Sequence, residues 1–401
     1  MDKKNKNATR YCIFYAAGPG DIVSTFANWK SGIDDPHQMA VTYSSLFFDT
    51  CRSLGAKGIA ISSCPRADTV TTEQFHVENL PKPPQKSGLA FHFQQIAYVM
   101  TILRKAVDAK ADILVMADST GHFFPLEWFA PASLHIIPSL HCTLWPRSKN
   151  SSLITKIISR LNRGIFRHRA LAILCLSHDI RKQLLTITGN TTVPIYPFIP
   201  HYRRDVFATL PPPPQSSTFR LIYAGRMETE KGIDDLLEVA VTLSEKKIDS
   251  IEIHLCGNGS QEARLRTDAE HKGVTHLFHI HGYCQRPEML NYLGNSHAVI
   301  VPTRSSFEEG FNKVVAEAIL AGRPVITSSV CPALEYVRDA VVEVPPDNAQ
   351  AYFEAAVELS SNTELYNSKQ LGCRKVQEQF YDPEQSWGAA LESIIRDRAD
   401  G

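Results

Sequence analysis

Two glutamates, Glu309 and Glu317, stand with seven residues between them in the run Phe307-Glu308-Glu309-Gly310-Phe311-Asn312-Lys313-Val314-Val315-Ala316-Glu317-Ala318. Carboxylates so spaced can accept hydrogen bonds from two sets of hydroxyls along one elongated ligand. The surrounding residues predict a strand ending near Pro302, an irregular stretch carrying Glu309 and Gly310, and a helix that opens at Asn312 as N-cap and stops at Gly322. Glu309 then sits at the mouth of a sheet, beside a helix N-terminus whose unpaired N–H groups and positive dipole end suit an anionic or hydroxyl-rich ligand. Glu317 lies inside that helix among Val314, Val315, Ala318 and Ile319. A carboxylate there needs a partner or a ligand. A solvated acidic loop followed by a helix with a surface glutamate is the plainer alternative.

A second constellation is Tyr223-Ala224-Gly225-Arg226-Met227-Glu228-Thr229-Glu230-Lys231-Gly232. Here a strand delivers Gly225, where backbone can approach a ligand, and Arg226 and Lys231 flank the turn into the next helix. A planar guanidinium and a point-charge ammonium at a strand's carboxyl end suit a diphosphate. Two exposed basic loop residues are the alternative. Leu255-Cys256-Gly257-Asn258-Gly259 adds a third glycine-bearing loop after a strand, weak by itself because such turns are common.

The elements that must position these loops follow from apolar patterning. Short strands alternate with helices, the signature of parallel sheets covered by helices. In the first half the strands are 11–16, 58–62, 113–116, 135–138, 172–176 and 193–196, with helices over 37–54 and 91–109. Four prolines, Pro211 to Pro214, remove backbone donors and restrict φ, which places an interdomain linker there. Beyond it the alternation restarts with strands 220–224, 252–255, 277–281, 298–301, 324–327 and 341–344 and a helix over 234–245, followed by helices over 349–358 and 386–395. The fold class is thus α/β, two doubly wound parallel-sheet (Rossmann-like) domains facing across a cleft. Their spans are 1–209, a linker 210–217, a second domain 218–378, and a C-terminal helix 379–401 that returns to the first domain.

Taken in order, Gly225-Arg226 with Lys231-Gly232, Gly257-Asn258-Gly259, Glu309-Gly310-Phe311 with Glu317-Ala318, and Gly322-Arg323-Pro324-Val325-Ile326 resemble the retaining glycosyltransferases of family 4, which have the GT-B fold. The likeness spans about 220–345 and is looser in the first half, at Gly18 and Gly20, at His141 and at Leu176-Ser177-His178. It implies transfer of a sugar from a UDP- or GDP-linked donor, with retention and without a metal or other cofactor. By resemblance Arg226 and Lys231 bind the diphosphate and Glu317 the ribose hydroxyls. Glu309, with the backbone of Gly310, Phe311 and Asn312, meets hydroxyls of the transferred sugar. His141 approaches that sugar from the other domain, Gly18, Gly20 and Asp21 border the acceptor and phosphates, and Gly225, Gly257 and Gly259 complete the donor rim. No Asp-x-Asp motif is present to hold a divalent ion. The run Ser328-Ser329-Val330-Cys331-Pro332-Ala333-Leu334-Glu335 departs from the family's glycine pair before the glutamate.

Composition narrows the partners. Lys plus Arg and Asp plus Glu both number 42, so no overall field gathers nucleic acid. Nine cysteines with no Cys-x-x-Cys pair, and no His or Cys at zinc-finger spacing, argue against a disulfide framework or a structural metal and for a cytoplasmic setting. The expected acceptor is a small molecule, a glycan or a lipid-linked sugar. Residues 147–169 interleave Arg147, Lys149, Lys156, Arg160, Arg163, Arg167 and Arg169 with Leu153, Ile154, Ile157, Ile158, Leu161, Ile165 and Phe166. Such a helix either lays its apolar face on the domain core or rests on the inner face of an anionic membrane. Trp128, Trp145, Phe123 and Phe124 are candidates for acceptor stacking or for the core. Rival readings in the same fold are a phosphorylase or a nucleotide-sugar epimerase, and outside catalysis a silent scaffold.

Overall fold

The computed structural model describes residues 11–145, 152–189, 191–307 and 309–400; Arg147, Lys149 and Glu308 lie outside that set. The first sheet contains β1 (Cys12–Ala16), β2 (Lys57–Ser62), β3 (Asp68–Thr71), β4 (Phe75–Asn79), β5 (Ile113–Met116), β6 (His135–Leu140), β7 (Ile173–Cys175) and β8 (Ile195–Pro197). Their order is β3-β4-β2-β1-β5-β6-β7-β8, parallel except for β3 against β4. Ile113 to Met116 are buried without a break, as a strand covered on both faces requires. The edge pair β3 and β4 is absent from the sequence-based set because its short, polar run Asp68–Thr71 carries no apolar signal.

The second sheet holds β9 (Phe219–Ala224), β10 (Ile251–Cys256), β11 (Phe278–Gly282), β12 (Ala298–Val301), β13 (Val325–Ser328) and β14 (Val341–Val344), in the order β11-β10-β9-β12-β13-β14. Every recorded pairing in it is parallel. The helix expected over 37–54 occupies only Tyr43–Ser53, because Thr42 caps it by accepting from the Ser45 N–H. Residues 37–40 are thereby left as a loop that reaches the second sheet's rim.

Between the sheets the chain is pinned by Arg323, which is 1% exposed. Its guanidinium donates to the carbonyls of Leu293, Ala321, Pro211 and Gly294 at 3.0, 2.7, 2.8 and 2.8 Å. A buried cation is tolerable when its donors are satisfied, and here carbonyl oxygens serve them. The last helix, Trp387–Asp400, packs on the helix Tyr43–Ser53. Buried Trp387 donates its indole N–H to the Ser139 hydroxyl on β6 at 2.9 Å.

Candidate functional site

The site lies at the carboxyl ends of both sheets, where three cavities adjoin. The first, about 370 Å3, is lined by Gly225, Arg226, Gly257, Asn258, Lys313 and Glu317, with His37 to Ala40 opposite. A second of about 340 Å3 is lined by Lys231, Glu309, Phe311, Asn312 and Lys313 together with Tyr43 and His141 of the first sheet's unit. These two share Ala224, Gly225, Lys313 and Val314 as walls. A third, about 530 Å3, lies within the first unit beside Gly18, Asp118, Ser119 and Phe123, and again meets Tyr43 and His141.

Glycine is what lets the loops converge. A Cβ on Gly257, whose φ is +143°, would stand 1.9 Å from the Gly225 carbonyl oxygen, and one on Gly259 would stand 2.4 Å from that of Met227. Only a residue without Cβ permits such approach. The rim is tied further by the Met227 N–H to Asn258 O bond of 2.8 Å and by Ser260, whose hydroxyl donates to Glu228 at 2.6 Å. The Tyr223 hydroxyl donates to the Arg226 carbonyl at 2.6 Å, fixing the backbone from which that guanidinium projects.

Lys231 and Glu309 pair at 2.5 Å with both side chains largely buried, and the ammonium lies 4.0 Å from the Phe307 ring centroid. Asn312 occupies the N-cap position of the helix Lys313–Leu320 but makes no side-chain cap. Its amide donates instead to Glu309 at 3.3 Å and its oxygen accepts from the Cys331 thiol at 2.9 Å. The helix therefore opens toward the cavity without its own side-chain acceptor, and its first amides can serve an anion.

Glu317 stands one turn into that helix, four residues after Lys313. The Tyr202 hydroxyl, from the first half, approaches its carboxylate at 3.5 Å and donates to the Lys313 carbonyl at 3.3 Å. Burial pushes the Glu317 carboxyl up to about 7, the Lys313 ammonium pulling the other way. An acid whose folded value is raised contributes stability that is present below its ordinary value and is lost as pH rises through the folded one. Glu317→Gln is therefore expected to raise the melting temperature relative to wild type at pH 8, with the gap narrowing at pH 5.5. Thermal unfolding at the two pH values checks this, and an equal gap at both would contradict it.

His141 follows β6 and stands between the second and third cavities. Ser139 Oγ lies 2.9 Å from His141 Nε2 and also accepts the Trp387 N–H. Nδ1 is buried with no hydrogen-bond partner among the described residues, and burial, aided by the Lys313 charge, depresses the imidazole to about 3. His141 is thus a neutral ring at the junction of two cavities.

Of the remaining sequence candidates, Phe311 is buried against Tyr336 and Phe380. Asp21 caps the helix Ile22–Lys30 and holds Asn79 and Arg66 at 2.8 and 2.6 Å, while Gly20 has open space around its Cβ direction. Phe123 is buried against Phe166 and lines the third cavity, Phe124 is buried, and Trp128 is exposed. Lys313, Tyr202 and Tyr43 were not singled out from sequence. For Lys313 a signal existed, its four-residue spacing from Glu317.

Residues 212–370 match the glycosyl transferases group 1 family. The glycogen synthase of Mycobacterium tuberculosis is 29% identical over 117 residues, which is 29% of this chain and 27% of that relative. The alignment thus spans about a quarter of the curated relative. Among solved structures, a sucrose-phosphate synthase from Thermosynechococcus elongatus superposes with a TM-score of 0.71 at 16% identity, covering 97% of this chain and 99% of that one. The Anabaena protein HepE, solved in complex with UDP, superposes at 0.66 and 12% identity, covering 97% and 99%. The fold is the GT-B arrangement of two parallel-sheet α/β units.

Proposed function

We propose that this chain is a metal-independent, retaining glycosyltransferase of family 4, with residues 218–378 as the donor side and 1–209 as the acceptor side. The observation that carries the reading is the adjoining pair of cavities: Arg226 and Glu317 line one and Lys231 and Glu309 the other, across shared walls. The group 1 match over 212–370 and the UDP complex of a protein with the same fold support a nucleotide diphosphate sugar, UDP- or GDP-linked, as donor.

In this reading the ribose hydroxyls bond to Glu317 and the diphosphate lies between Arg226, Lys231 and the amides opening the helix Lys313–Leu320. The sugar occupies the second cavity against Glu309, with His141 bordering it from the other unit. The bond from the anomeric carbon to the diphosphate oxygen breaks, and the fixed cations and N–H groups take up the charge developing on the leaving group. The acceptor oxygen bonds to that carbon on the face the diphosphate leaves, and its proton passes to a leaving phosphate oxygen. The third cavity, open to His141, suits the acceptor. Thermal-shift screening against UDP- and GDP-sugars tests the donor assignment. A donor at 100 times its Kd adds about 2.7 kcal/mol to the folded state. No response to any nucleotide sugar, combined with no transfer product, would overturn it in favour of a scaffold. Turnover without an acceptor alcohol would favour a phosphorylase or epimerase.

A lipid-linked acceptor is supported by a separate observation. The helix Leu153–Leu161 has no buried residue, and Leu153 and Ile157 are 74% and 51% exposed. Its apolar face is therefore not laid on the core, as a domain-surface helix would require; only the following turn buries Ile165 and Phe166. Asn162, just past its end, accepts from the Phe123 and Phe124 N–H groups at the wall of the third cavity. Among the described residues no helix is long and apolar enough to cross a membrane. Cosedimentation with vesicles containing anionic lipid, but not with neutral ones, is expected, and Ile157→Glu should abolish it. Equal partition of wild type and variant would remove the membrane surface from the proposal.

A further inference from the structure

Away from the cavities, one face of the second sheet gathers ionisable side chains that sugar transfer does not use. Parallel register sets His254 of β10 directly beside His279 of β11 and Glu252 beside Arg220 of β9. Because strand side chains alternate, Glu252 and His254 project from the same face, as do His279 and His281. Potential ligand atoms of Glu252, His254 and His279 all lie within 4.8 Å of one another, and the three residues are half-buried.

The geometry points to a divalent transition-metal site, best matched to Zn2+, held by Glu252, His254 and His279. His254 Nε2 stands 3.2 Å from Glu252 Oε2. Two ligands bound tetrahedrally to zinc at about 2.0 Å stand roughly 3.3 Å apart, so these atoms already have the separation the ion requires. The other nitrogen, His254 Nδ1, lies 3.0 Å from His281 Nε2, and the two rings are within 11° of parallel. A ligating histidine commonly has its second nitrogen held by such an outer partner, which sets tautomer and ring orientation. His281 is itself backed by Tyr292, ring centroids 4.2 Å apart. Arg220 approaches the same Glu252 oxygen at 3.4 Å and offsets part of its charge. Two imidazoles and one carboxylate favour zinc over the oxygen-preferring Mg2+ or Ca2+, and leave a position for water.

The consequence is structural. The ion would clamp edge strand β11 to β10 through the paired His254 and His279, two residues before Cys256 and three before Gly282, where the strands end. Those ends carry Gly257, which donates to the Gly282 carbonyl at 2.7 Å, and Tyr283 and Cys284, which line the first cavity. The site therefore serves rim geometry, not the leaving group, and is independent of the transfer reading.

The test uses the full chain stripped with a chelator and titrated with Zn2+ against a competing indicator, with bound metal counted by elemental analysis. One Zn2+ per chain is expected, with a higher melting temperature. His279→Ala and the near-isosteric Glu252→Gln should each weaken binding by at least about 100-fold, and His281→Phe by about 10- to 100-fold. Substituted Co2+ should give tetrahedral visible bands without a thiolate charge-transfer band, which separates this site from the nine cysteines. Absence of stoichiometric zinc, a thiolate band, or unchanged affinity in a folded Glu252→Gln variant would each overturn the proposal.

Discussion

Lys231→Ala is expected to lower kcat for transfer by about 10²- to 10³-fold, the usual loss when one preorganised donor to a developing anion is removed. Its ammonium is held by Glu309 at 2.5 Å and by the Phe307 ring face, so it waits in place and spends no ordering entropy when the donor arrives. Truncation also strands the Glu309 carboxylate unpaired beside an incoming diphosphate, which adds repulsion to the lost attraction. Lys231→Arg should recover little, because a planar fork does not fit a pocket built round a point charge. Steady-state kinetics with a fixed donor check both variants, alongside melting temperature to verify folding. Wild-type kcat in Lys231→Ala would remove the leaving-group role.

Gly310→Ala tests the approach of the two units. A Cβ at Gly310 would stand 1.8 Å from the His141 carbonyl oxygen and 3.0 Å from Cys142 Cα, both main-chain atoms of the opposite unit. Backbone cannot give as a side-chain tip can, so the sheets must separate or the 309–312 loop must shift. A displacement of about 1 Å between reacting groups costs on the order of 10²-fold in rate, and that loss in kcat is expected here. Nucleotide affinity should change little, since Arg226 and Glu317 sit in the neighbouring cavity away from the clash. Comparing kcat with the Kd for the free nucleotide separates the two effects. Retained activity would mean that transfer does not need this contact.

Much of the second unit is legible in its sequence. Some of its strands are continuous apolar runs, such as 298–301 before Pro302, others alternate apolar with polar residues, such as 251–256, and each observed strand bound lies within one residue of the expected one. The first unit was less legible where polar edge strands and the long loop 31–42 interrupt the pattern. The expected helix 37–54 exceeds the observed Tyr43–Ser53 because the apolar period does not reveal that Thr42 caps its start. Basic-amphipathic spacing in 153–161 was compatible with two opposite environments, since periodicity says that a helix has an apolar face but not what covers it.

What the sequence by itself determined was the alternation of strands and helices and the residue types presented at each strand's carboxyl end. These follow from local physics: side-chain period, backbone restriction by proline and glycine, and capping. Tertiary structure alone decided that Lys231 meets Glu309, that Tyr202 reaches the Glu317 carboxylate, that His141 is a buried ring between two cavities, and that three histidines and a glutamate share one sheet face. Those facts depend on strand order and on two units touching across hundreds of residues, and distant pairing leaves no mark on a local pattern.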